Sequence, residues 1–439
     1  MASSEYVNKQ RKEYSLYVLQ MRAIPALTDG LKAAARRVLW TGRSGAKYKS
    51  ATLAGAAMPI HPHASPESTI DTLAAHYGNN IPLLEGIGAF GTLLNPTGYG
   101  ASRYTSVKVS GFTKDVVFKD IEIIPMQENY DGTLEEPKHF LPLIPTVLLN
   151  PTEGIAVGFA CNILPRALDE IIVAQIAHLR NRPKIIDEVF PHFAPSNSTA
   201  HTWTEPNKWT FMGAFRKKNS TAVTITKLPY GILHEKFVNN LNKLIDVGKI
   251  VDYEDGSSDT ISIEVKFKRG IVDVISKAKM LALLGLNNTC SENMNVIDLD
   301  HKTVWSTDFV SVIRRFTDWR LTWYEKRYQR LSEILAKDIQ KYKDTLLAIE
   351  KNIGSVARKV QSRGELKELL KSFGIVYVDY IADLPIYRFT HEEKNKIESR
   401  VKEADDQMTI YKTLLSSEDE RRTLYVTELK DILKKYGET

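Results

Sequence analysis

The chain has 439 residues, 43% of them hydrophobic, and a net charge of +6, enough to bury a sizeable core in two or three domains. No run approaches the ~20 uninterrupted apolar residues of a membrane span, and the polar N-terminus lacks the order of a secretory signal, which implies an intracellular setting. Two cysteines, Cys161 and Cys290, exclude a disulfide framework and a four-thiolate zinc site, and both are expected as small core residues.

The charge is unevenly placed. Residues 1–60 carry ten Lys and Arg against three Asp and Glu, which alone outweighs the surplus of the whole chain. Leu27, Leu31, Val38 and Leu39 within this block have the spacing of a helix whose other face would lie against phosphates. On charge alone a solvated basic face explains the block as well.

In chain order, residues 1–135 alternate short helical stretches with glycine- and proline-rich turns such as HPHASPES (61–68) and EGIGAFGTLLNPTGYG (85–100). Residues 136–302 carry strand-like runs at 145–150, 154–160, 221–230 and 260–268, separated by helices such as 168–179. From 303 to 439 the texture is helical. Leu331, Leu335, Ile339, Tyr342, Leu346, Ile349 and Ile353 recur every three or four residues, and Ile397, Val401, Ala404, Met408, Tyr411 and Leu415 repeat the pattern. Two long helices around a compact knot at 354–390 predict an antiparallel coiled coil, with an ordinary helical bundle as the alternative. The class expected is α+β and multidomain.

Gly86, Gly88 and Gly91 fit G-x-G-x-x-G, but Pro96, Gly98 and Gly100 follow and prevent the helix that a dinucleotide site requires. No Walker A motif occurs. His61 and His63 lack further ligands at metal-binding spacing. Asp298 and Asp300 are the nearest approach to an acidic cluster, far in sequence from any other candidate site.

RAIPALTDGLKAAARRVL (22–39), HPH (61–63), LLEGIGAFG (83–91), ASRYTS (101–106) and EGIAVGFACNILPR (153–166) occur in that order. The series closely resembles the breakage-reunion subunit of type IIA DNA topoisomerases. KLPY (227–230), DWRLTWYEKR (318–327), LPIYRFT (384–390) and LYVTELKDILKKYG (424–437) extend the resemblance over nearly the whole chain. The chain stops where the coiled coil returns, and this short form is most like the medium subunit of the T-even-like bacteriophage enzymes, which would place it in a host bacterial cytoplasm.

The resemblance implies a winged-helix DNA-cleavage domain at 1–135, an α/β tower domain at 136–302, and a coiled coil with a C-gate dimerisation region at 303–439. Tyr104 takes the nucleophile position. A phenol titrates near pH 10 and is a poor nucleophile at neutral pH, so a cation beside it, Arg103, would favour phenolate and steady the charge growing on phosphate. Arg22 and His63 fall at the family's remaining cleavage positions, as phosphate holder and proton acceptor. Lys32, Arg36, Arg37 and His61 fall at DNA-facing positions. Ile155 matches the isoleucine that wedges between base pairs.

The implied partners are double-stranded DNA, a second copy of the chain, and an ATPase/Toprim subunit that brings both Mg2+ and ATP; no metal is expected on this chain. Ala35, Ala64, Ser65, Pro66, Ile87 and Ala89 depart from the family's usual residues and put fine DNA contacts and drug sensitivity in doubt. A winged-helix dimer that binds or bridges DNA without cutting it is the competing reading, separated from the first by covalent chemistry.

Overall fold

The computed structural model describes residues 10, 11, 14, 15, 17–62, 66–156, 158–205 and 207–437. It is a mixed α/β fold of many helices and small antiparallel sheets. The chain divides into two compact units, residues 1–320 with 426–439 and residues 321–425. The boundaries expected near 135 and 302 both fall within the first. Among the described residues no helix is long and apolar enough to cross a membrane.

In the first unit, helices α1 (Ala33–Thr41), α2 (Ser50–Ala57) and α3 (Pro66–Ala74) pack on one another. They stand beside a sheet ordered β1 (Tyr48–Lys49), β3 (Ser106–Val109) and β2 (Leu84–Ile87). The helix expected from Leu27 onward begins only at Ala33. Gly30 turns with φ +65°, and a Cβ there would stand 2.3 Å from the Val147 nitrogen, so the chain folds tightly over its neighbour before α1 can start. Leu27, Val38 and Leu39 are buried, as their spacing predicts.

A short ribbon, β4 (Met126–Glu128) with β5 (Glu135–Pro137), precedes the hairpin of β6 (Thr152–Ala156) and β7 (Phe159–Ile163). The apolar run at 145–150 is not a strand. It forms a buried 3-10 turn, Thr146–Leu148, because the short apolar run Val147–Leu149 between Pro145 and Pro151 fixes burial without fixing period. The run at 154–160 is two strands rather than one, turned at Gly158 with φ +82°.

Helix α4 (Leu168–Leu179) matches its expected bounds. Beyond it lie β8 (His192–Phe193), β9 (Ser198–Glu205), β10 (Lys208–Met212), β11 (Ala214–Lys217), β12 (Ala222–Lys227), β13 (Asp252–Asp255), β14 (Ile263–Lys266) and β15 (Asn287–Ser291). They form two four-stranded sheets, β15-β10-β9-β8 and β11-β12-β14-β13. Helices α5 (His234–Asp246) and α6 (Lys277–Leu284) cover the second sheet, setting Phe237, Leu241 and Leu284 against Val223, Ile225, Ile263 and Val265. Between the hairpin and the first sheet Arg166 is fully buried. Its guanidinium donates twice to Glu292, which also accepts from the Leu164 N–H and the Trp209 indole. Such a pair holds its place because every charged atom of the carboxylate is used.

The second unit is helical. Helix α7 (Phe309–Glu350) crosses into it, followed by α8 (Arg363–Ser372), α9 (His391–Ser416) and α10 (Glu418–Tyr436), which leaves it again. The Tyr324 and Tyr425 rings meet at 4.9 Å and those of Tyr328 and Tyr411 at 5.3 Å, both pairs tilted, so α7 and the returning helices run antiparallel. Ser417 breaks the return with extended backbone. The expected knot is a set of short helices around Ile353, Leu370, Ile375, Val378 and Ile381.

Candidate active site

Tyr104 stands on the loop that feeds β3, and its side chain is 71% exposed. The loop closes on itself through the Tyr104 and Thr105 N–H groups, both donating to the Ala101 carbonyl at 2.8 and 3.3 Å. The Ser102 hydroxyl donates to Glu67 on α3 at 2.9 Å. Arg103 is exposed, with its guanidinium carbon 4.7 Å from the centre of the Tyr104 ring. Among the described residues this ring is the one group its guanidinium meets, which leaves the cation available beside the phenol. The glycines at 86, 88 and 91 build the turn beneath this loop. No helix opens there; a Cβ on Gly91 would meet the Pro96 carbonyl oxygen at 2.3 Å.

Arg22 lies exposed on the turn Leu19–Ala23, and its side chain makes no hydrogen bond or ion pair among the described residues. The β6–β7 hairpin packs on this turn. Lys32 ties the hairpin down, donating from Nζ to the Glu153 carbonyl at 2.5 Å. Burial holds its ammonium below the usual lysine range, with Cys161 and Glu153 acting against that shift. On β6, near the hairpin turn, Ile155 is 88% exposed, the most exposed large apolar side chain described. Arg22, Lys32 and Ile155 are therefore gathered on one piece of structure.

Arg36, Arg37 and His61 are placed otherwise. Arg36 is buried and donates to Asp29 through Nε and Nη2 at 2.6 and 2.8 Å; Asp29 also accepts from the Leu31 and Phe140 N–H groups. Burial alone would raise the Asp29 carboxyl, but the Arg36 charge and these donors outweigh it and hold it below the usual range. Arg37 is buried against Glu136 of β5 at 2.5 Å. Both guanidiniums are thus occupied inside the protein, against the expectation that they present themselves to phosphates. His61 is buried too, its Nε2 2.7 Å from the Tyr17 hydroxyl and its ring edge-on to Tyr130. His63 lies outside the described residues.

Asp298 and Asp300 build turns. Asp298 pairs with Arg315 at 2.6 Å, and Asp300 accepts from Lys302 and Thr303. Among the described residues no group of three or more His, Cys, Asp or Glu is disposed to hold a metal ion. A cleft of about 840 Å3 opens at the base of the hairpin, lined by Lys32, Thr72, Tyr99, Glu153, Lys227 and Tyr230; Tyr104 does not face it.

An exposed tyrosine beside an arginine that has no ion pair among the described residues, with an exposed apolar hairpin residue on the same unit, agrees with the family expected. The family model for the A subunit of DNA gyrase/topoisomerase IV matches residues 22–430. The chain belongs to that family. It is 26% identical to the A subunit of DNA topoisomerase 4 from Haemophilus influenzae, over 98% of this chain and 62% of that protein. It is 27% identical to the A subunit of DNA gyrase from Chlamydia pneumoniae, over 98% of this chain and 56% of the relative. The DNA topoisomerase medium subunit of Enterobacteria phage T4 is 27% identical, over 93% of this chain and 94% of the phage protein. The chain thus spans about six tenths of the length of these bacterial relatives and nearly all of the phage one.

Proposed function

We propose that this chain is the DNA-cleaving subunit of a type II DNA topoisomerase, with Tyr104 as its nucleophile. The observation that carries the reading is the exposed phenol with the Arg103 guanidinium beside its ring, which among the described residues has no other partner. In the reaction the Tyr104 oxygen bonds to phosphorus while the bond from phosphorus to the 3′ oxygen breaks. The phenolic proton passes to a base, for which His63 has the right chemistry, and the departing 3′ oxygen takes up a proton. The product is a 5′-phosphotyrosyl link that stores the ester energy for resealing. Arg103 and Arg22 are suited to hold the phosphate and its growing charge.

Ile155 would enter the duplex as a wedge. Unstacking costs a few kcal/mol per step, offset by contacts to the bent DNA. Arg36, Arg37 and His61 serve this site indirectly in our reading, by fixing α1 and its surroundings. The three helices and small sheet around Tyr104 act as a winged helix, the two four-stranded sheets as the tower, and α7 with α9 and α10 as the coiled coil. Val376, Tyr380, Ile386 and Tyr387 are exposed at the knot, and we take these apolar side chains as the face of a C-gate between two copies.

The carboxylates described near Tyr104 do not form a metal set, and Glu67 is already engaged. On the family resemblance we assign Mg2+ and ATP to an ATPase/Toprim partner, where the metal would polarise phosphate oxygens. Strand passage, with relaxation and decatenation, follows as the activity of the joint assembly. The test is Tyr104→Phe in the presence of partner, Mg2+ and plasmid: the variant should bind DNA yet leave no protein-linked breaks after detergent and protease. Breaks still trapped by the variant would remove the nucleophile from this reading, and intact DNA from both wild type and variant would favour a non-cutting binder.

A further inference from the structure

Three consecutive residues hold the tyrosine loop from one side. Lys49 Nζ donates to the Tyr104 carbonyl at 3.2 Å, the Ser50 N–H to the Thr105 carbonyl at 3.1 Å, and the Ala51 N–H to the Ser102 carbonyl at 3.2 Å. The Thr105 and Ser50 hydroxyls meet at 2.7 Å in a buried bond. Ser50 and Ala51 open α2, so their N–H groups are among those at a helix start with no acceptor inside the helix. The loop supplies those acceptors. Its two ends are thereby fixed by main-chain bonds, while the Tyr104 carbonyl between them is held, among the described residues, by Lys49 alone.

We propose that Lys49 is a positioning residue for the nucleophile. It sets the placement of the Tyr104 peptide and, through it, the reach of the phenol toward phosphorus. The inference rests on Tyr104 being the nucleophile, as proposed above. The argument is one of reach. An exposed phenol on a loop sweeps a wide arc about its Cα–Cβ bond, and a displacement of about 1 Å from the attack geometry can cost on the order of 100-fold in rate. Ser50, Ala51 and Thr105 keep the loop folded when the lysine is removed. What the lysine adds is a tether at the residue that reacts. Its donor is a point charge on a flexible stem, so arginine, which also reaches a carbonyl, preserves the tether, whereas methionine of similar length does not.

The experiment uses the full chain with its ATPase-bearing partner, Mg2+ and linear duplex DNA, and follows the covalent link under single-turnover conditions. Lys49→Met is compared with Lys49→Arg and with Lys47→Met, which removes the same charge two residues away. Lys49→Met should form the link about tenfold more slowly at saturating DNA, with the half-saturating DNA concentration within about twofold of wild type. The melting temperature should not move, Lys49→Arg should recover most of the rate, and Lys47→Met should match wild type at saturation. A wild-type rate in Lys49→Met overturns the tether. So does a loss confined to the half-saturating concentration, which would make the lysine a phosphate contact, and so does an arginine variant as slow as the methionine one. Wild-type protein that forms no link overturns the proposed function and the tether together, whereas a wild type that cuts beside an equally fast Lys49→Met overturns the tether alone.

Discussion

Gly154 lies so close to Ala23 that a Cβ on it would stand 1.9 Å from the Ala23 carbonyl oxygen. The obstacle is main chain, which cannot swing aside as a side chain can. The contact joins the hairpin carrying Ile155, the proposed wedge, to the turn carrying Arg22, the proposed phosphate holder. Gly154→Ala should therefore force the two apart, at a cost of about 1–3 kcal/mol typical of overpacking. A urea titration reads the stability change, and DNA bending followed by energy transfer between end labels should fall with it. A variant with wild-type midpoint and wild-type bending would mean that the hairpin absorbs the methyl group and that the two elements are not coupled.

Gly154 also marks the limit of what the sequence discloses. Residues 154–160 read as a strand-like run, and the fold makes of them a hairpin with Ile155 exposed near its turn, but nothing within the string says that it lands on Ala23. Helix α4 and strands β12 and β14 are legible because each has a clean period and a clear stop. The run at 145–150 is not, since an apolar segment buried on all sides has no polar face to reveal its period. Among the proposed site residues, Tyr104 and Arg103 are readable because they are adjacent in the chain and the motif fixes them. Lys49 and Glu67 escape the sequence because only the fold brings them to the loop, from 55 and 35 residues away. Arg36 and Arg37 read as phosphate contacts from their charge and the motif positions they occupy. Their acids, Asp29 and Glu136, sit 7 and 99 residues off, and only the first pairing lies within reach of local inspection.

The rings of His139 and His301 stack at 4.9 Å with 7° between their planes, and Trp319 meets His139 edge-on. Burial lowers His139 to about 4 and His301 to about 3, the latter also repelled by its neighbour. Each is a base that the folded protein keeps neutral while the unfolded chain protonates it near pH 6.5. Their stability contribution is therefore complete above pH 6.5 and is lost as pH falls from there toward about 4 and 3. Asp29 adds its own loss only at lower pH, once the medium drops below the ordinary carboxylate range. In the window from pH 6.5 to 4 the slope should approach ~1.4 kcal/mol per pH unit for each histidine. His301 has φ +58°, which asparagine tolerates. His301→Asn should thus flatten the acid slope by about one proton while leaving stability at pH 7 near wild type. Unfolding free energies from urea titrations at half-unit pH intervals measure this. An unchanged slope in the variant would show that the ring is solvated and free to protonate when folded.

Asp344 is the buried pivot of the knot at the end of α7. One carboxylate oxygen accepts from the Val376 and Tyr377 N–H groups at 3.0 and 2.6 Å, and the other from Gln340 at 2.8 Å. These bonds start the one-turn helix Val378–Ala382, whose Val378 and Ile381 enter the local core while Val376, Tyr380, Ile386 and Tyr387 remain exposed. The carboxylate thus holds in place the apolar face proposed to join two copies. Asp344→Ala should cost roughly 1.5–3 kcal/mol, the range for hydrogen bonds to a charged group, and should weaken self-association by disordering the face. Ile386→Asp tests the face without touching its support. The side chain is exposed, so folding should be unchanged, but a charge placed in a dimer core should weaken association more than about tenfold. Sedimentation equilibrium of the three proteins separates the two effects. If Ile386→Asp associates as tightly as wild type, the copies meet elsewhere and the knot is not the gate. If it dissociates while Asp344→Ala does not, the face is the gate but stands without this carboxylate.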